Sequence, residues 1–179
     1  MTAVKTDIPE TSLTQELLPA DYSDAFKCSA GGNVNFSADD LQVAFWTDMP
    51  RWINGMMKLR NLLVKPFGLQ NKGLGAAQLE ESIRSGGSCG FFSVAAKSSN
   101  ETIVRLDDKH LSAWMSVMTD GNDVYAITLV KYHNRLGRAY FFVIGPFHKI
   151  IVRSALVSAV RRLPQKKRTD VQTEHNSGG

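Results

Sequence analysis

From Glu101 to Leu163 the chain alternates apolar and polar positions in short runs, broken by turn residues, and then changes to the period of an amphipathic helix. The pattern predicts strands at Phe91 to Lys97, Thr102 to Leu106, Leu111 to Thr119, Val124 to Tyr132 and Arg138 to Ile144. Asp120-Gly121-Asn122 can supply positive φ in one turn, and Asn134 with Gly137 can do so between the last two strands. At about 100° per residue, Val152, Ala155, Leu156, Ala159, Val160 and Leu163 then fall in one arc, with Ser154, Ser158, Arg161 and Arg162 opposite. A closing helix from Phe147 to Leu163 with that stripe must lie on the sheet to be stable.

The front half is less regular. A first strand fits Asp21 to Ala30, followed by a Gly31-Gly32-Asn33 turn. Ser37 precedes Asp40 by three residues, an approximate capping box that opens a helix running to Asp48. Pro50 suits the first turn of a second helix, whose buried face would carry Trp52, Met56, Leu59 and Leu63 and which Pro66 and Gly68 would end. A short helix fits Ala76 to Arg84. The predicted fold is therefore α+β: a curved antiparallel sheet wrapped around a long C-terminal helix, with two helices after the first strand. Residues 19–164 are expected to form one domain, with residues 1–18 and 165–179 frayed. A sheet gripping a helix leaves room between them for an apolar guest.

Composition narrows the class. A chain of 179 residues can bury roughly 70% of its unfolded surface without disulfides or metal. Its 43% hydrophobic and 21% charged residues are ordinary for a globular protein. Two cysteines, Cys28 and Cys89, make no disulfide framework or metal spacing. Met1 to Glu10 lack the apolar core of a secretory signal, and no stretch approaches the roughly 18 apolar residues of a membrane span, so a cytoplasmic location is expected. Much of the net charge of +4 sits in Arg161, Arg162, Lys166, Lys167 and Arg168, where cations meet the negative end of the last helix. Nothing calls for nucleic acid, a metal or a cofactor.

Chemistry-bearing motifs are sparse. Gly86-Gly87-Ser88-Cys89-Gly90 has the letters of a nucleophile elbow, but a helix precedes it and a strand follows, the inverse of the order that elbow needs. Asp107-Asp108-Lys109-His110 is better placed. On an extended chain Asp108 and His110 share a face, so the carboxylate could orient the imidazole for proton transfer; the alternative is a polar turn with solvated carboxylates. On the strand that follows, Leu111, Ala113, Met115 and Val117 form one face, leaving His110, Ser112, Trp114 and Ser116 on the other. His133 and His148 flank the last predicted strand, where they could line a pocket mouth or serve local backbone hydrogen bonds. Trp114, Tyr140 and Phe142 are among the aromatic residues that could line a cavity.

Leu106-Asp107-Asp108-Lys109-His110-Leu111, Lys131-Tyr132-His133-Asn134-Arg135-Leu136-Gly137-Arg138-Ala139-Tyr140 and Ile144-Gly145-Pro146-Phe147-His148 resemble the bacterial domain of unknown function 2867 family. Leu59-Arg60-Asn61 and Phe67-Gly68-Leu69 extend the likeness, which covers about Ala20 to Leu163. Ser112 departs from it, standing where an acidic residue is expected. The resemblance carries no activity. Its order of elements is similar to the helix-grip superfamily of START-like and polyketide-cyclase-like proteins (SRPBCC), which implies a small hydrophobic ligand between sheet and C-terminal helix. Arg60, Trp114, His133, Tyr140, Phe142 and His148 would be its ligand-binding residues. The alternatives are a cyclase or isomerase using Asp108 and His110 as catalytic residues, and a protein interaction module, with a homodimer as one form.

Overall fold

A computed structural model of the chain describes residues 1–50, 52–53, 75–163 and 165–166. Its main sheet is built from β1 (Val4–Thr6), β2 (Tyr22–Ser29), β4 (Ser88–Cys89), β5 (Phe92–Lys97), β6 (Glu101–Asp107), β7 (Leu111–Asp120) and β8 (Asp123–Tyr132). These seven strands lie in the order β1-β2-β8-β7-β6-β5-β4 and every neighbouring pair is antiparallel. The sheet is curved and open, and with the helices it makes the α+β helix-grip arrangement. A separate two-stranded ribbon pairs β3 (Asn33–Val34) with β9 (Gln165–Lys166).

One face is covered, among the described residues, by α1 (Ala38–Thr47) over β6 and β7, α2 (Ala76–Ser85) over β4 and β5, and α3 (Arg135–Arg162) over β2 and β8. The capping box of α1 forms as the spacing predicts, with Ser37 Oγ accepting from the Asp40 amide and Asp40 Oδ2 accepting from the Ser37 amide, each at 3.1 Å. Alternation fixes the inner face: Phe26 and Cys28 of β2, Val104 of β6, Met115 and Val117 of β7, and Val124 and Ala126 of β8 pack with the α3 stripe. In that stripe Val152, Ala155, Leu156, Ala159 and Val160 are all buried. The outer face carries a second, smaller core, in which Ile103, Trp114 and Leu129 meet Ile8, Leu13, Leu17 and Ala20.

The strand expected at Arg138 to Ile144 is a correction: those residues are the first turns of α3. Asn134 is the N-cap, its side chain accepting from the Gly137 amide at 3.1 Å, so it starts a helix and not a hairpin. The aromatic run satisfies two periods, and tertiary packing selects the helical one, because Phe141, Gly145 and Val152 then share the buried face. Pro146 lies inside the helix on its exposed side, where the Phe142 carbonyl left without a donor can turn to water. The continuous helix of 28 residues is long and apolar enough to cross a membrane, contrary to the expectation from apolar runs, although a core helix passes the same test.

Residues 1–18, expected to fray, pair and pack. Val4–Thr6 add an edge strand to β2, and Leu13–Leu17 form a 3-10 helix whose N-cap is Ser12. Trp52, expected on a buried helix face, is 45 % exposed, while its neighbour Ile53 is fully buried. The rest of the second predicted helix, with Arg60, lies outside the described residues, as does most of the C-terminal tail.

Candidate functional site

Antiparallel register brings Arg105 of β6, Trp114 of β7 and Lys131 of β8 together on the outer face, since Arg105 pairs with Trp114, Trp114 with Leu129 and Ser112 with Lys131. The indole of Trp114 lies between two cations, with the Arg105 guanidinium carbon 5.3 Å and Lys131 Nζ 5.8 Å from its ring centre. Pro19, Ala20 and Asp21 form one wall and Tyr132 and His133 another, bordering an open concavity of about 550 Å³. Asp21 is fixed by accepting the Tyr132 amide at 2.7 Å. This hollow is on the face of the sheet away from α3.

Hydrogen bonding at its edge assigns a tautomer. The Ser112 hydroxyl donates to Asp107 Oδ1 and also stands 2.9 Å from His133 Nε2. A hydroxyl has one proton, and a carboxylate can only accept, so that proton goes to Asp107 and His133 must donate its Nε2–H to Ser112. Nδ1 is left as the ring nitrogen open to a ligand. Ser112 is consequently not a nucleophile deprotonated by histidine; it is buried and holds the imidazole. Arg105 Nε lies 2.8 Å from Asp107 Oδ2, an ion pair by distance. Its N–H is nonetheless buried without an aligned acceptor.

A second polar cluster sits beneath the first turns of α3. Tyr22 donates its hydroxyl to Asp24 Oδ2, and His148 Nε2 shares a 3.1 Å hydrogen bond with Thr128 Oγ1. Asp24 Oδ1 is 3.8 Å from His148 Nε2 and has no hydrogen-bond partner of its own. Phe141 roofs the cluster, its ring 4.6 Å from that of Tyr22 and 5.8 Å from the His148 imidazole. Burial raises the Asp24 pKa, but the adjoining His148 imidazole and the Tyr22 and Thr128 hydroxyls outweigh it and hold the carboxyl below its ordinary range. Burial and the same carboxylate push the Tyr22 phenol well above its usual value.

The residues singled out from sequence fall in several places. Trp114 and His133 line the outer hollow. His148 belongs to the cluster under α3, and Tyr140 is half-buried on the same helix. Phe142 is 84 % exposed, because the strand alternation that would have turned it inward does not exist. Asp108 accepts from the His110 backbone amide at 3.3 Å, which is turn chemistry. The His110 imidazole instead has its Nδ1 3.1 Å from Asn134 Nδ2, and its Nε2 is buried without a partner. Proton transfer by this pair would require Asp108 to leave the amide and turn to the ring.

Sequence reasoning missed Arg105 and Lys131 in the hollow, and Tyr22, Asp24 and Thr128 in the cluster. One signal was available: Tyr22, Asp24, Phe26 and Cys28 alternate along β2, which puts a carboxylate on an otherwise apolar face. Among the described residues no group of three His, Cys, Asp or Glu side chains could hold a metal ion. Neither the curated proteins nor the solved structures contain a match to the chain. Residues 17–155 match the family described as Protein of unknown function (DUF2867), and the chain belongs to that family.

Proposed function

We propose that the chain binds a small molecule with a flat apolar body and an acidic group in the outer hollow. The observation that carries this reading is the pair of cations, Arg105 and Lys131, set against the Trp114 ring in the lining of a concavity large enough for such a guest. Trp114 offers the apolar body a rigid surface, Arg105 and Lys131 attract the acid, and His133 Nδ1 accepts a hydrogen bond from a donor on the ligand. This reading keeps the small-molecule guest expected from sequence and seats it on the other side of the sheet. Asp21 and Asp107 oppose a second negative charge, so a monoanion fits better than a dianion.

Calorimetric titration of the purified chain with benzoate, cinnamate and indole-3-acetate, and with the corresponding amides, tests it. Saturable one-site binding is expected for at least one carboxylate, with about tenfold weaker binding for its amide and for Arg105→Gln. Trp114→Ala should weaken carboxylate and amide alike. Absence of binding to every carboxylate, or full affinity in Arg105→Gln, would overturn the reading.

A further inference from the structure

The first half of α3 carries an exposed apolar stripe that the outer hollow does not use. Ala139, Phe142, Val143, Pro146 and Ile150 are all exposed, Phe142 to 84 %. At about 100° per residue they fall within an arc of about 100° on one side of the helix. Arg138 and Lys149, also exposed, follow one margin of that arc, and Arg135 and Arg153, exposed as well, fall within it at its two ends. No acidic residue occurs anywhere between Arg135 and Arg162. Among the described residues none of these four cations has a carboxylate within ion-pair distance. Three of them rest against rings, Arg138 on Tyr132, Lys149 on Tyr22 and Arg153 on Phe26, which places the side chains without neutralising their charge.

We propose that this stripe docks α3 on the surface of an anionic lipid bilayer, the helix lying in the membrane plane. Phe142, Val143 and Ile150 enter the boundary between headgroups and acyl chains, and the basic margin meets anionic headgroups. Charge complementarity selects this occupant: an apolar ridge edged by Arg138 and Lys149 and closed at its ends by Arg135 and Arg153, none with a carboxylate partner among the described residues, suits a fluid, negatively charged interface. The opposite side of α3 is committed to the sheet through Val152, Ala155, Leu156, Ala159 and Val160. Lying flat leaves that core intact, whereas crossing the bilayer would tear it open.

Flotation of the full chain with phosphatidylcholine vesicles, with and without phosphatidylserine, tests the proposal. Binding is expected only with phosphatidylserine, falling as salt is raised. Phe142→Asp and the pair Arg138→Glu with Lys149→Glu should each weaken it by about tenfold or more, with circular dichroism and thermal midpoint unchanged because these side chains are exposed. No flotation with either vesicle, equal flotation with both, or an unaffected Phe142→Asp variant overturns the proposal. So does a concentration-dependent dimer that Phe142→Asp dissolves in the absence of any flotation, which would show a second copy as the occupant.

Discussion

Asp24 is the side chain whose ionisation is most directly tied to folding. Its carboxyl titrates below the ordinary value of 3.8 in the folded chain, with burial opposing and His148, Tyr22 and Thr128 prevailing. The stabilisation is therefore fully present above that ordinary value and is lost as pH falls through the lower, folded value. Asp24→Asn should cost about 3 kcal/mol near neutral pH, since it leaves the half-buried His148 imidazole and Tyr22 phenol with a poorer partner. It should also flatten the acid limb of stability measured by urea unfolding across pH. His133 yields a second residue-level outcome: nitrogen NMR should find its proton on Nε2, and Ser112→Ala should release that preference. A carboxylate on an apolar strand face could be read from the letters of β2, but its partner could not, because Asp24 and His148 meet only through the docking of α3 on β2 and β8.

Among the elements, the start of α3 is the most tightly specified. A Cβ built on Gly137 would lie 2.1 Å from the His110 carbonyl oxygen, so the helix approaches the β6–β7 turn closer than any side chain allows. Propensity alone predicts that Gly137→Ala would gain about 1 kcal/mol. The close approach reverses the sign, and a loss of about 2–3 kcal/mol is expected in thermal or urea unfolding. Asn134→Ala should cost about 1 kcal/mol in the same assay through loss of the cap. The elements most legible in the sequence were those with one dominant period: β6, β7 and β8, α1 with its capping box, and the second half of α3. The Arg138 to Ile144 segment was not, because a short run of aromatic and β-branched residues satisfies strand and helix alike, and Gly137 served equally well as a turn residue and as a helix contact. What decided it was a contact with His110, invisible to any local rule.

For the molecule as a whole, the sheet is enclosed on both faces, and the thinner cover is the N-terminal segment. Buried Glu101 holds it, accepting from the Ser12 hydroxyl and the Leu13 amide, each at 2.7 Å, and from the Ser116 hydroxyl at 2.5 Å. Glu101→Ala should cost about 3 kcal/mol by leaving those buried donors unmatched. Limited proteolysis should then cut within residues 8–20 faster than in the parent chain, detected by mass spectrometry of the fragments. The layered architecture was legible because alternation in β6 to β8 and the α3 stripe require each other. The outer layer was not, because Ile8, Leu13, Leu17 and Ala20 are too scattered to announce a packed segment. The same segment forms a wall of the outer hollow through Pro19, Ala20 and Asp21.

The pairing of β2 with β8 has a consequence for how the protein comes to exist. Tyr22 faces Val130, so during synthesis β2 waits about a hundred residues for its neighbour. Until then the growing chain holds Phe26 and Cys28 without their sheet, and α1 without the face it covers. The local β7–β8 hairpin can form as it emerges; the early strand, the covering segment and the last helix must all be recruited to it afterwards.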